Sequence, residues 1–579
     1  MIIWDGIKPG NLVLPEASPG SAWKELARVN GFSRRPPMNR AILMWFSVTG
    51  KYCVATLRAI WCVCRSKMTL KRFITGGWTT SLKSALSIGL LSGKVKGLLA
   101  AGRHGRYTRL RDEVKTLIIP SLVGLWVLWT PPALGAEAIE AVNESTGKAV
   151  QSAIDACAAR GGGVAYLPPG RYVTGPLWLK DNVELRLEAG ATVVMSPEKK
   201  DWPAGVRALV NAKGVKRIAI TGRGTFDGNA QWEYAPVRGQ DPEIAEEQEI
   251  ARRAGVEMKR YYRKGEVQKY LFVLQDSQDV RLEGITIQNA PLWNVRLQDC
   301  SRVWIRDIRL YSDLEKAVNS DGIDIVSSSD VLIADSIIST ADDAICLKTV
   351  DLGERGRGTI RPTENVVVNN CILTSSSTPM MIGTETHADI RHVLFSNIIV
   401  PNSNKVFGIN VQDGATVSDV RFVNITFETN RRHWNWWGSS EVMRFVLKKR
   451  TAESRLGRIR DVTIDGAQGT ARGTSFVAGH SERRLENITI ANLRVKMLAE
   501  NRPDKRATHA LVFQGIDGLT LRNVEVTWDR EAPEPKWGSA LALRDISNLA
   551  LQDFHGEAAQ SEGPTPAILR ENVTDWHGP

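Results

Sequence analysis

The chain has 579 residues, 43% of them hydrophobic, and a formal net charge of +12 at pH 7. That length allows several ordinary domains or one long repeat array, and the apolar fraction excludes a wholly disordered chain. The positive charge does not mark a nucleic-acid surface: 19 Lys and Arg against 3 Asp and Glu fall at or before Arg111, which leaves a net charge of −4 on the rest.

The first fifth mixes apolar patches, Ala41 to Val48 and Trp61 to Cys64, with Arg and Lys and keeps no steady period. Arg103, Arg106, Arg109 and Arg111 then precede an apolar run from Leu117 to Trp129, followed by Pro131-Pro132 and the small-residue stretch Ala133 to Ala138. A positive segment, an apolar segment and a small-residue site in that order read as a secretion signal. The run is too short and too broken by proline for a stable membrane span. The expectation is a non-native or unstructured basic extension over 1–112, a signal peptide over 113–138, and a secreted or periplasmic domain over 139–579. The functional start would then lie near residues 103–115.

From Thr146 the pattern becomes regular. Val150, Ile154 and Ala158 predict a short amphipathic helix over Thr146 to Arg160, stopped by Gly161-Gly162-Gly163. Strands follow at Val164 to Leu167, Tyr172 to Leu179 and Val183 to Leu187, with the turn Pro168-Pro169-Gly170 after the first and the turn Glu188 to Ala191 after the third. A loose repeat then begins at Val280 and recurs at Val303, Val331, Val366, Val393 and Val420, with weaker copies at Val462, Leu485, Leu519 and Leu549. Each copy is an alternating strand, a polar corner rich in Asn or Asp, and a second short strand. A unit of about 25 residues with three short strands suits a parallel β-helix, in which each rung covers the last at about 4.8 Å. The predicted fold is therefore all-β, a right-handed parallel β-helix capped by the first helix. Residues 229–269, 351–364 and 431–456 are too long for corners and read as loops, which on a solenoid gather on one face.

Four cysteines follow the first fifth: Cys157, Cys300, Cys346 and Cys371. They show no metal-type spacing. Cys346 and Cys371 are about one repeat apart and could stack in adjacent coils, but buried free thiols are the preferred reading.

The residues with chemical promise are Asn319-Ser320-Asp321-Gly322-Ile323-Asp324 and Ala341-Asp342-Asp343 through Lys348. The 21 residues from Asp321 to Asp342 make about one rung, so the acidic segments should lie side by side. Glycoside hydrolysis uses such carboxyl groups, one to protonate the leaving oxygen and one to activate water or attack. Crowding raises one pKa and keeps one group protonated. Neighbours on a flat strand face opposite ways, so Asp342 and Asp343 need a bend to share a cleft. No phosphate loop, metalloprotease helix or nucleophile elbow is present.

These segments resemble the polygalacturonase-type glycoside hydrolases of family 28. Members carry an Asn-Thr-Asp-Gly-x-Asp segment and, one coil later, an Asp-Asp pair with a Cys; here the Cys is displaced to Cys346. Further similarity lies in Gly161 to Thr174, Thr221 to Gly228 and Asn289 to Asn294. The resemblance covers residues 140–430 and implies a β-helix and single-displacement, inverting hydrolysis. It implies Asp342 as general acid, with Asp321 and Asp343 activating the water, and neither metal nor cofactor. The family's Gly-His-Gly is replaced by Ser377-Thr378-Pro379, and its Arg-Ile-Lys by the stretch Gly408 to Gln412, with Asn410 and Gln412 in place of the two cations. Losing both cations removes the usual clamp on a sugar carboxylate and points toward rhamnogalacturonan or another decorated linkage.

The expected substrate-binding residues are Asn319, Lys348, Glu385, His387, Asn410, Gln412, Trp436, Trp437 and Glu441. Glu385 or His387 would take over part of the missing His role, and the tryptophans would stack on sugar. The expected partner is a pectic polysaccharide bound by a monomer. Two other readings stay open: a lyase using the aspartates to hold Ca²⁺, and an inactive β-helical sugar-binding protein.

Overall fold

The computed structural model describes residues 43–48 and 51–56, and residues 139–577 apart from 143, 231–233, 237–244, 256–260, 264–268, 351–359, 433–437 and 561–563. The chain divides into two units, Met1–Gly124 and Leu125–Pro579. In the first, Leu43–Val48 pairs antiparallel with Lys51–Thr56. The rest of the expected extension, and the expected signal segment, lie outside the described residues. No helix among the described residues is long and apolar enough to cross a membrane.

The second unit is a right-handed parallel β-helix. Its first helix, α1 (Gly147–Ala159), begins at Thr146, whose hydroxyl accepts from the Ala149 N–H at 3.2 Å. That bond satisfies one of the free donors of the first turn. Val150, Ala153, Ile154 and Cys157 face inward and join the core of the first coil. The helix thus closes the open end of the stack, which would otherwise expose apolar side chains and strand edges.

The repeats pair residue for residue. Ile218, Val280, Val303, Val331, Val366, Val393, Val420, Val462, Ile488, Leu519 and Leu549 are successive register partners. Each points inward and each is buried. Alternation puts every second residue of a strand in the core, so one slipped residue would turn the set to solvent. Stacked rings fill the later coils, with Phe395 and Phe422 5.3 Å apart and nearly parallel.

The polar corners explain the Asn and Asp bias. Asp335, Asn370, Asn397 and Asn424 take left-handed φ values of 53°, 56°, 54° and 56°. Their side chains form a ladder, each amide donating to the previous coil at 3.2, 3.3 and 2.8 Å. Asn and Asp visit this region at the least cost among residues with a side chain. Beyond Ser375 the second and third strands of a coil fuse around this corner, as in Ile390–Ser403 and Thr416–Thr429.

Three expectations need correction. Residues 431–456 are not one insertion, because Met443–Leu447 is a wall strand between two loops. Thr363 and Glu364 belong to a strand rather than to the preceding loop. Residues 229–269 hold a helix, Ala245–Arg253, and a short antiparallel pair, Tyr234–Pro236 with Tyr261–Arg263. Cys346 and Cys371 lie on different walls and do not stack; they are free and buried, as are Cys157 and Cys300.

Candidate active site

One wall carries the acidic segments. Its strands are β1 (Tyr270–Gln275), β2 (Val295–Gln298), β3 (Ile323–Val326), β4 (Ile345–Thr349), β5 (Met380–Thr386), β6 (Phe407–Val411) and β7 (Met443–Leu447), paired in that order. Ile323 and Ile345 are partners. Counting two residues back from each strand start, Trp293, Asp321, Asp343, Thr378, Lys405 and Glu441 form a column across six coils. Asp321 is therefore level with Asp343, and Ser320 with Asp342.

The local backbone makes this possible. Gly322 lies so close to the next coil that a Cβ there would stand 2.3 Å from the Ala344 carbonyl oxygen. The chain bends at Ala341 and Asp342 before β4 starts. Thr340 Oγ1 and Ser375 Oγ both donate to the Asp342 carbonyl at 2.7 Å, and the Asp343 N–H donates to Asp342 Oδ1 at 2.9 Å. That is the bend which lets both neighbours reach one place. Carboxylate oxygens of Asp321, Asp342 and Asp343 all lie within 4.8 Å of one another. Each keeps a little exposure, 3%, 9% and 8% respectively, whereas Asp324 beside them has none.

A buried cation faces this cluster. Lys348 Nζ lies 2.8 Å from Asp324 and 3.2 Å from Asp321, and 3.9 Å from the centre of the Trp293 ring. Burial pushes Asp321 up to about 6, against the pull of Lys348 and with a push from Asp343. Burial likewise raises Asp324, helped by Asp321, and raises Asp343, where Lys348 and Lys405 oppose it. Burial disfavours the Lys348 ammonium, but Asp324 and Asp321 outweigh it and hold the group charged. The Asp343 carboxylate also accepts from the Thr378 N–H at 3.1 Å. The set offers a proton donor, fixed carboxylates that can orient water, and permanent positive charge beside them. Its three crowded oxygens could also hold a divalent ion, although the Lys348 ammonium already supplies a cation against Asp321.

The other expected residues are spread more widely. Asn319 is a left-handed corner residue, φ 61°, half-buried before the cluster. Glu385 sits half-buried in a bulge of β5, where the register shifts between Leu347 and Thr349, and its charge reaches Lys348. His387 is exposed and 3.8 Å from Asp413, which is clamped by Arg450 at 2.7 Å. His387 thus faces Asp413 rather than the three aspartates. Asn410 lies on β6, half-buried, as the partner of Gly383. Gln412 follows β6 and is tied by its N–H to Thr386 Oγ1 at 2.9 Å. Trp436 and Trp437 lie outside the described residues. Glu441 is fully buried: its carboxylate accepts from the Ser439 N–H and lies 3.7 Å from Arg444.

Two residues near the cluster, Arg296 and Lys405, escaped the sequence reading, and Asp324, named there within the acidic segment, is given no role of its own. Asp324 alternates with the core residues Ile323 and Ile325, so period-2 logic assigns it to the outer face. Arg296 is its register partner on β2 and donates to Gln298. Lys405 repeats the offset of Asp321 and Asp343, two residues before a wall strand; that signal needed the strand start at Phe407 to be known.

The family model for glycosyl hydrolases family 28 matches residues 168–497. A probable polygalacturonase of Vitis vinifera is 25% identical over 315 residues, covering 50% of this chain and 58% of that one. Rhamnogalacturonase A of Emericella nidulans is 22% identical, covering 56% of this chain and 54% of its own. The chain spans about half the length of these curated relatives. The crystal structure of a hyperthermoactive exopolygalacturonase from Thermotoga maritima has the same fold, with a TM-score of 0.53 at 21% identity; 67% of this chain and 92% of that one align.

Proposed function

The chain belongs to glycosyl hydrolases family 28, and from that premise we propose that it is a secreted enzyme hydrolysing a pectic polysaccharide of the galacturonan or rhamnogalacturonan type. The observation that carries the reading is the convergence of Asp321, Asp342 and Asp343 within 4.8 Å at the rim of one wall. Asp342, the most exposed of the three, is the general acid. Asp321 and Asp343, level with each other on adjacent coils and fixed by Lys348 and the Thr378 N–H, orient and activate the water.

The stereochemical course is the finer part of the proposal. Inverting pairs usually stand about 6.5–9.5 Å apart and retaining pairs about 5–5.5 Å. The spacing here falls on the short side. Three carboxylates change the argument, because two can share one water while the third serves the leaving oxygen. We assign single displacement with inversion. A calcium-assisted elimination would need the same cluster for its ion, where Lys348 already stands 3.2 Å from Asp321.

The purified chain incubated with a panel of homogalacturonan and rhamnogalacturonan fragments tests this. New reducing ends are expected, with proton NMR of the first product showing the inverted anomer. Asp342→Asn should lower turnover by about 10²-fold or more while substrate binding persists. Ultraviolet-absorbing unsaturated products lost on adding chelator would replace the hydrolase reading with the lyase. Binding without any turnover by the wild type would leave a sugar-binding protein.

A further inference from the structure

Past the acid cluster, the same column ends on two buried charged residues, Lys405 and Glu441, that the proposed chemistry does not use. Lys405 and Glu441 each stand two residues before their strands, β6 and β7, and Phe407 partners Met443. Lys405 is 7% exposed and Glu441 fully buried. Their side chains meet over Gly438: a Cβ there would lie 3.1 Å from Lys405 Cδ and 3.3 Å from Glu441 Oε1. The Lys405 N–H is anchored on the Ser377 carbonyl, in the coil whose Thr378 N–H serves Asp343. The charges bearing on the Lys405 ammonium are Glu441, Asp343, Arg444 and Asp342. Those bearing on Asp343 are Lys348 and Lys405, with Asp321 and Asp342 crowding it.

The charge balance gives this pair a task. Lys348 is already bound to Asp324 and Asp321. With Asp342 protonated as the acid, Asp321, Asp324 and Asp343 would be three buried anions facing one ammonium. Lys405 opposes that excess at Asp343, on which its charge bears, while its own counter-charge Glu441 lies one coil farther along the column. An unpaired buried ion costs several kcal/mol, so without a second cation the cheapest response is to protonate Asp343 and lose the base.

We propose that Lys405 is a positioning residue that holds the Asp343 carboxylate in its charged, water-activating form, with Glu441 fixing the ammonium; this rests on the hydrolase reading above. The test uses the pectic fragment that the wild type cleaves in the panel. For Lys405→Met, the acid limb of kcat/KM should move up by about one pH unit, with KM little changed. Lys405→Arg should restore the wild-type limb. A merely structural role would lower the yield of folded protein but leave the limb in place. Lys405→Gln is read the same way should the Met variant fail to fold, circular dichroism serving as the check. An unmoved limb in a folded uncharged variant, or an equal shift in Lys405→Arg, overturns the proposal. Lack of turnover by the wild type on every fragment is instead the failure of the hydrolase reading, visible before any variant is made.

Discussion

Lys348 Nζ stands 2.8 Å from the Asp324 carboxylate, on neighbouring strands of one wall, with both side chains almost wholly shielded from water. Breaking a buried ion pair from one side strands the other charge, at a cost of about 3–5 kcal/mol. Lys348→Met is therefore expected to lower the thermal midpoint by several degrees. The double variant with Asp324→Asn should recover part of the loss, because the stranded charge is gone. Thermal melts of the four proteins check this. If the double variant is no better than the single one, the two charges are not coupled as described.

The raised pKa of Asp321 makes a prediction for stability against pH. In the fold this group protonates at about 6, above its ordinary value near 4. Between those values the folded state holds a proton that the unfolded chain has released. Its contribution is thus fully present below about pH 4 and lost as pH rises through 6, on the order of 3 kcal/mol. Asp343, also raised, adds to the same trend. Wild type should therefore lose stability relative to Asp321→Asn between pH 4 and 6. Denaturant unfolding at pH 4, 5, 6 and 7 measures the difference; a gap that stays constant would show that Asp321 ionises normally.

The fold was legible because its rules are local. A Val or Ile every rung, an Asn or Asp at each corner and a glycine-stopped helix needed only periods of 2 and about 25 residues to be seen. Ile218, in register with Val280, went unread because the insertion after Asn229 hides the spacing. The acid cluster was legible at the level of the coil, but not of the residue. Counting 21 residues set the two acidic segments side by side without fixing the register, and the strands pair at 22, which puts Asp321 level with Asp343. Whether Glu385, His387 and Glu441 reach a groove depends on bulges and loop paths. His387 turns to Asp413, and Glu441 turns inward to Ser439 and Arg444. Neither turn has a periodic signature.

The corner ladder gives a prediction away from the site. Asn397 holds φ 54°, donates to Asn370 at 3.3 Å and to Asn369 at 2.9 Å, and accepts from Asn424 at 2.8 Å. Asn397→Ala loses those bonds and puts alanine in the left-handed region, a backbone cost of about 1–2 kcal/mol. Asn397→Gly loses the bonds but not the backbone fit. The alanine variant should therefore be the less stable of the two by urea denaturation, although glycine is ordinarily the costlier residue in regular structure. The reverse order would mean that the left-handed corner costs alanine little and does not by itself select Asn here.

The last prediction joins the site's electrostatics to its rate. Activating water requires Asp321 and Asp343 to be ionised, and burial beside Asp343 puts the Asp321 midpoint at about 6. The two titrate together, so the activity limb belongs to the cluster and not to one residue. The ratio kcat/KM should accordingly rise with pH through about 6, well above the ordinary aspartate range. Lys348 lowers the pKa of both groups, so Lys348→Met should carry the limb upward as well as destabilise the fold. Asp324→Asn should carry it downward, since Asp324 competes with Asp321 for the same ammonium. Opposite displacements by two variants that both weaken the fold separate an electrostatic cause from general loosening. Displacement in the same direction by both would leave the buried charges without the role assigned to them.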